Sequence, residues 1–169
     1  MPEVLKLVRL ADPILHRKAP DVEPEEIQDK TFQHFLDAMV MAMRHYNGVG
    51  IAAPQIGIGK QIFACEVRNN VRYQSAPNIP LQIYINPQII ERSGEDVVLQ
   101  EGCLSVADLR GDVPRAAKIR LSALDRSGNP VDIVAEGFLA RIFQHECDHL
   151  AGHLFLERVR DRSSIVKIK

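Results

Sequence analysis

Residues 137–152, GFLARIFQHECDHLAG, decide how the C-terminal half of this chain folds. Apolar residues recur three and four positions apart, which is typical of one face of an α-helix, so a helix is predicted from Gly137 to about Leu150. Gly152 follows as a stop signal. His145 and His149 are four residues apart, which places them about 40° apart around the helix axis, on one side of it.

The five residues from His145 to His149 have the spacing of a metal-binding motif. Two imidazoles on one helix face can bind one ion, and the carboxylate of Glu146 can reach a water molecule beside that ion. The ion lowers the pKa of the water towards about 7, and the carboxylate takes and returns a proton. The motif favours a metal-dependent hydrolase, and a chance match on an ordinary helix is the alternative.

Such a site needs a third protein ligand, because catalytic ions of this type are commonly held by three side chains and water. Cys103, within the segment 101–105, EGCLS, is the best candidate. Its thiolate suits a soft-to-borderline ion such as Zn²⁺ or Fe²⁺. Cys147 would lie on the far side of the helix from His145, and Cys65 lies in an apolar run. Both are expected to be buried core thiols.

The remaining elements predict an α+β fold. A helix is expected over residues 24–45, opened by Pro24 and two glutamates. Strand-like segments follow, with a hairpin turn at residues 127–130. These segments are 61–67, 81–91 (broken at Asn86-Pro87), 96–100, 117–125 and 131–135. We therefore expect antiparallel or mixed sheets packed around the C-terminal helix, with a second helix near the N-terminus.

The bulk properties describe one ordinary globular domain. The length of 169 residues predicts a single domain over residues 1–169, with the charged residues 160–169 as a candidate flexible tail. The net charge of −1 gives no field that would attract nucleic acid or an anionic membrane. No membrane span or signal peptide is evident, so a cytoplasmic protein is expected. An organelle protein whose targeting leader is absent from this chain would look the same.

Three blocks in this order resemble the peptide deformylase family, and the resemblance covers roughly residues 5–158. Together they are far more specific than any one of them. The blocks are Gly48–Gln55 (GVGIAAPQ), Glu101–Ser105 (EGCLS) and Gln144–Leu150 (QHECDHL), flanked by Ile85–Pro87 (INP) and Gly152–Phe155 (GHLF).

The resemblance implies an enzyme that removes the formyl group from formyl-methionine at the N-terminus of nascent polypeptides and releases formate. It implies Cys103, His145 and His149 as ligands of one divalent metal ion per chain. Fe²⁺ would be the native ion, with Zn²⁺ or Ni²⁺ as substitutes. The protein is expected to be a monomer that works near the ribosome without binding nucleic acid directly.

The implied mechanism assigns three further residues. Hydroxide on the metal attacks the formyl carbon, and Glu146 acts first as general base and then as general acid. The side-chain amide of Gln55 and the backbone N–H of Leu104 stabilise the oxyanion that forms. Gly50 would offer backbone hydrogen bonds to the peptide, a mode of binding that tolerates varied sequence.

Other positions are implied to contact the peptide or to support the ligands. Val49, Phe138 and Ile142 would form an apolar pocket for the methionine side chain, although ordinary core packing would explain them equally well. By the same resemblance, Arg110 would lie near the substrate entrance, and Glu101, Arg115 and Asp148 would orient the ligands.

Two departures from the family pattern concern the peptide site. Many members have proline at the position of Ala107, two residues after the EGCLS block. This chain has the sequence ADLR at residues 107–110, which resembles organelle-type members. Arg141 occupies a place on the last helix where some members have an apolar pocket residue. The detailed shape of the peptide site therefore depends on these residues, while the metal site does not.

Two other functions are compatible with the helical motif alone. A metallopeptidase would use the same helix with a different third ligand and would cleave internal peptide bonds. A non-catalytic metal-binding or ribosome-associated module would need neither Glu146 nor Gln55, so the presence of both residues favours an enzyme.

Overall fold

The computed structural model describes residues 3–168; residues 1, 2 and 169 of the predicted domain and tail lie outside it. Three α-helices and eight strands are formed within that range, and none of the helices is long and apolar enough to cross a membrane. The helices are α1 (Pro24–Ile27), α2 (Lys30–His45) and α3 (Gly137–Ala151). The strands are β1 (Gly50–Ala52), β2 (Ile62–Val67), β3 (Ile79–Arg92), β4 (Asp96–Cys103), β5 (Val106–Ala116), β6 (Lys118–Leu124), β7 (Pro130–Glu136) and β8 (Val166–Lys167).

The strands form two antiparallel sheets, and α3 contacts both of them. The larger sheet has the order β1-β2-β3-β6-β7, and the smaller one has the order β4-β5-β8. The face of α3 that carries Phe143 packs against Phe63 and Tyr84, with ring centroids 5.5 and 5.3 Å away. The predicted α+β fold, with sheets around the C-terminal helix and a helix near the N-terminus, is confirmed.

The first predicted helix, residues 24–45, is in fact two helices. Asp29 ends the first and begins the second, because its side chain accepts hydrogen bonds from the N–H groups of Thr31 and Phe32 at 2.6 and 3.3 Å. An aspartate bonded in this way is a strong N-cap and competes with continuous helix. The apolar periodicity predicts the helical residues correctly, but the capping aspartate inside the pattern divides them into two helices.

The predicted break at Asn86-Pro87 is a bulge within one long strand. The register between β3 and β6 shifts between Ile85 and Gln88, and Asn86 has a positive φ of 51°. The Asn86 side chain accepts from the N–H of Val22 at 2.8 Å and donates to its carbonyl at 2.9 Å. The bulge thereby fastens the segment before α1 to the larger sheet.

The second sheet is the largest feature that the sequence did not predict. Strand β4 extends beyond the predicted residues 96–100 to Cys103, and β5 pairs with it from Ala116 to Val106. β5 contains Gly111, Pro114 and several charged residues, so it lacks the apolar alternation by which a strand is recognised. The predicted β6–β7 hairpin is confirmed, with Leu124 paired to Pro130.

The charged C-terminal segment is folded against the second sheet as far as it is described. Residues Arg162–Ser164 form a short 3₁₀ helix, and β8 pairs antiparallel with β5, Leu109 opposite Lys167 and Arg110 opposite Val166. Backbone pairing thus orders a segment whose composition suggested a flexible tail.

Gly152, at the end of α3, allows a test of the close contact between this helix and the backbone of Arg17. Its φ is +86°, and a Cβ atom there would stand 2.7 Å from the backbone carbon of Arg17. Gly137 also has a positive φ, +60°, but nothing lies within 4 Å of its hypothetical Cβ. Gly137→Ala should therefore cost about 1–2 kcal/mol for the left-handed backbone alone, and Gly152→Ala should cost clearly more. Urea unfolding of the two variants measures the difference, and equal losses of stability would contradict the close contact.

Candidate metal centre

Helix α3 presents the two histidines of the motif towards the end of β4. The ring centroids of His145 and His149 are 5.0 Å apart. Cys103 is the last residue of β4, and its Sγ lies 3.3 Å from His149 Nε2. One ligand atom from each of these three residues lies within 4.8 Å of the other two. The structure therefore brings the three candidate ligands together from two distant segments of the chain.

The donor set fits a divalent metal ion. Sulfur together with two imidazole nitrogens suits borderline ions such as Zn²⁺ and Fe²⁺. All three side chains are buried or nearly so, and His149 turns its Nε2 towards Cys103 Sγ. Burial and the neighbouring His145 hold the pKa of His149 well below its usual value, so its imidazole is neutral, the form in which it binds a metal.

The carboxylate of Glu101 fixes the orientation of the His145 ring. Glu101 Oε1 lies 2.9 Å from His145 Nδ1. Because an ionised carboxylate can only accept, Nδ1 carries a proton, and Nε2 is left to face the cluster. Burial opposes ionisation of Glu101, but hydrogen bonds from His145 and Arg115 outweigh it and hold the pKa of this carboxyl well below its usual range.

Two arginines complete the surroundings of Glu101. Arg115 donates to both of its oxygens, at 2.9 and 3.0 Å, and also to Asp148 at 2.6 Å. Arg141 donates to Glu101 Oε2 at 2.5 Å and to the carbonyl groups of residues 97 and 113 at 2.6 and 2.9 Å. Arg141, noted in the sequence as a departure, therefore binds the network with its guanidinium while it also lines the cavity described below.

Glu146 lies on the cavity side of the helix, beside the candidate ligands. It is 4% exposed, and its Oε2 has no hydrogen-bond partner among the described residues. Burial raises the pKa of Glu146 to about 7. The carboxylate approaches Gly50 of β1 so closely that a Cβ on this residue would collide with it. Glycine is thus required here to let the strand pass the carboxylate.

Gln55 points its amide nitrogen at the same place. It lies in a short 3₁₀ helix, Ala53–Ile56, and its Oε1 accepts the N–H of Ala52 at 2.9 Å. Since the N–H requires an acceptor, Nε2 must be the atom that faces Cys103 Sγ at 3.5 Å and Ser105 Oγ at 3.4 Å. The donor is therefore oriented by a local backbone bond.

A single cavity joins these groups to the surface. The predicted pocket residues Val49, Phe138 and Ile142 line it, as do Gly50 and Leu104. Glu146, Gln55, Glu101, Cys103 and His145 line it too. Arg110 is not among the residues that line the cavity. Its guanidinium carbon lies 5.5 Å from the ring centroid of Tyr73, and Tyr73 does line the cavity.

Arg72 and Tyr73 line this cavity although the sequence did not suggest them. They lie in the polar segment between β2 and β3, and the ring of Tyr73 is 5.3 Å from that of Phe138. The only signal available was one aromatic residue within an otherwise polar loop. Both cysteines that were expected to be core thiols lie outside the ligand group. Cys65 is buried in the apolar cluster behind α3, whereas Cys147 is only partly buried and packs against that cluster.

The family model for polypeptide deformylase matches residues 4–164. The peptide deformylase of Leptospira biflexa is 41% identical over 158 residues, which are 93% of this chain and 88% of that protein. A chloroplastic/mitochondrial peptide deformylase of Arabidopsis thaliana is 37% identical over 94% of this chain and 62% of its own length.

Solved structures agree with this assignment. The Met-Ala-Ser-bound class I type b peptide deformylase of Acinetobacter baumannii superposes with a TM-score of 0.91 at 42% identity, covering 94% of this chain and all (100%) of that one. Sequence and fold thus agree over nearly the whole chain. The chain belongs to the peptide deformylase family, whose members are metalloenzymes that remove the N-formyl group from nascent peptides.

Proposed function

We propose that Cys103, His145 and His149 hold one divalent metal ion and that Glu146 and Gln55 act on the formyl group beside it. The observation that carries this proposal is the convergence of one sulfur and two imidazole nitrogens within 4.8 Å. A buried, unpartnered carboxylate oxygen lies next to them. Unpaired buried polar atoms are costly, and a site for a metal and a substrate accounts for them. We propose Fe²⁺ as the native ion, with Zn²⁺ or Ni²⁺ as substitutes.

A bound divalent cation would polarise the formyl oxygen and lower the pKa of a water molecule. Glu146 Oε2 accepts a proton from the water as the water oxygen adds to the formyl carbon. The same carboxyl then delivers this proton to the amine nitrogen as the C–N bond breaks, leaving formate and a free N-terminus. Burial favours the protonated form of Glu146, which suits a carboxylate that must hold a proton between the two steps.

Gln55 stabilises the negative charge that develops on the formyl oxygen. Its Nε2 and the backbone N–H of Leu104 are the proposed donors. The bond from the Ala52 N–H holds Gln55 in place before any substrate arrives. A donor fixed in advance costs no reorganisation when the charge develops, which is the main source of such stabilisation.

The peptide lies in the cavity with its methionine side chain on the wall formed by Val49, Phe138 and Ile142. Gly50 exchanges backbone hydrogen bonds with it, and Arg110 lies near its point of entry. The Acinetobacter baumannii relative was solved with the peptide Met-Ala-Ser bound, which supports a peptide ligand for this family member. Because the substrate is a nascent chain, we propose that the protein acts as a monomer near the ribosome.

The Glu101 network supports the ligands and takes no part in bond making. Glu101 holds the His145 ring, and Arg115 links Glu101 to Asp148 on the ligand helix. Residues in such supporting positions influence metal affinity and activity through the ligands that they orient.

The function is tested by incubating the metal-loaded protein with formyl-Met-Ala-Ser and, in parallel, with unformylated Met-Ala-Ser. We expect formate to be released from the first peptide while the peptide bonds of both remain intact. Mass spectrometry separates the outcomes, since a metallopeptidase would shorten the peptides instead.

Glu146→Gln should lower the rate of formate release by about 10²–10⁴-fold, because the amide keeps the shape of the side chain but cannot accept the proton. Metal content, measured on the same sample, should stay at the wild-type level. Glu95→Gln, at an exposed position, serves as control. Near-normal activity of the first variant would refute the assigned role of Glu146.

Gln55→Glu separates the two functions of this side chain. The carboxylate can still accept the Ala52 N–H, but a charge buried beside Cys103 lowers the thermal unfolding temperature, so activity is measured at a temperature where the variant is fully folded. The donor is lost, and kcat should fall by about 10²–10³-fold. A kcat close to the wild-type value in the folded variant would refute the role of Gln55 as a donor.

Removal and return of the metal tests the ligand set. Dialysis against a chelator should abolish formate release, and anaerobic addition of Fe²⁺ should restore it. Cys103→Ser should hold much less than one metal ion per chain in elemental analysis. Cys147→Ser is the matched control on the same helix as the histidines, and metal loss from that variant alone would overturn the assignment.

A further inference from the structure

Two arginines from separate segments converge beside the cavity, which Arg72 lines and Arg110 does not. Arg72 comes from the segment between β2 and β3, and Arg110 comes from β5. Arg72 Nη2 and Arg110 Nε each lie 3.5 Å from the point where a Cβ on Gly102 would stand. Their guanidinium carbons are 6.0 and 5.5 Å from the ring centroid of Tyr73. The three side chains, Arg72, Tyr73 and Arg110, are called the rim cluster below.

The rim cluster has no internal counter-charge. Within residues 3–168, neither guanidinium makes a hydrogen bond or ion pair with a carboxylate, whereas Arg115 and Arg141, deeper in the protein, both pair with Glu101. Two like charges held close together and partly shielded from water repel each other. The aromatic ring between them offsets only part of this cost, so the cluster is suited to receive an anion.

The rim cluster lies next to the path that the peptide substrate is proposed to follow. Arg72 and Tyr73 line the same cavity as Glu146 and Gln55, but they are half-buried where the latter are fully buried. Tyr73 also contacts Phe138 of the apolar wall. A peptide whose methionine rests on that wall therefore passes the rim cluster with the residues that follow the methionine.

We propose that the rim cluster is a subsite for a carboxylate of the peptide substrate, downstream of the formyl-methionine. This inference rests on the proposed function and adds a preference among substrates. Planar guanidinium groups bind carboxylates through paired hydrogen bonds, and Tyr73 limits the freedom of both arginines before binding. The carboxylate is supplied by an acidic side chain or by the C-terminus of a short peptide, and the experiment below distinguishes the two.

The first measurement compares formylated peptide amides that carry Glu or Gln at the second, third or fourth position. At the position that reaches the rim cluster, kcat/KM for the Glu peptide should exceed that for the Gln peptide by about tenfold. This ratio should shrink as salt is added. The Gln peptide is also compared as a free acid and as an amide, and a preference confined to the free acid would support a subsite for the chain end.

Variants assign the preference to the rim cluster. Arg72→Gln and Arg110→Gln should each reduce the Glu-to-Gln ratio, and the double variant should bring it close to one. Arg68→Gln is the matched control, because Arg68 is exposed, lies four residues from Arg72 and does not line the cavity. That variant should keep the wild-type ratio, and an equal loss in it would reveal a general field effect and overturn the proposal.

Calorimetric titration of the unformylated Glu and Gln peptides gives the same comparison without turnover. The binding affinities therefore report on charge recognition even if the protein does not deformylate the peptides, so the two failures can be distinguished. Equal affinity and equal kcat/KM for every acidic and neutral pair, including the free acid and the amide, would overturn the proposed subsite.

Discussion

The buried carboxylate of Glu101 is the interaction on which the rest of the site depends. A buried charge is tolerated only when it is paired and hydrogen-bonded, and Glu101 satisfies this with Arg115, Arg141 and His145. These partners belong to β5 and α3, while Glu101 itself belongs to β4. One carboxylate therefore joins the second sheet to the helix and fixes the ring of a candidate ligand at the same time.

Close approach of backbone elements governs the other side of the site. β1 passes the Glu146 carboxylate at Gly50, where there is no room for a side chain. The short 3₁₀ helix that follows β1 then turns Gln55 into the cavity. The fold thus holds the proposed acid–base group and the proposed hydrogen-bond donor on separate elements around one small volume, a helix for Glu146 and a short 3₁₀ helix for Gln55.

The sequence predicted those parts of the structure whose signals are local. Helix α3 and its histidines follow from apolar spacing and a terminal glycine, and the β6–β7 hairpin follows from its turn residues. Strand β5 could not be recognised, because its charged residues and Pro114 conceal a strand that only pairing with β4 reveals. The contacts of Arg141 and Arg72 were equally inaccessible, since each depends on segments more than 25 residues away in the chain.

The grouping of Cys103 with two histidines of α3 has a consequence for the order of events during folding. The sulfur and the imidazoles come from segments that are far apart in the chain, and they meet only when the second sheet has docked against the helix. An unfolded or partly synthesised chain therefore has no complete ligand set. Incorporation of an ion by the three proposed ligands would therefore be a late event that reports on long-range assembly, and its loss would loosen the junction between sheet and helix first.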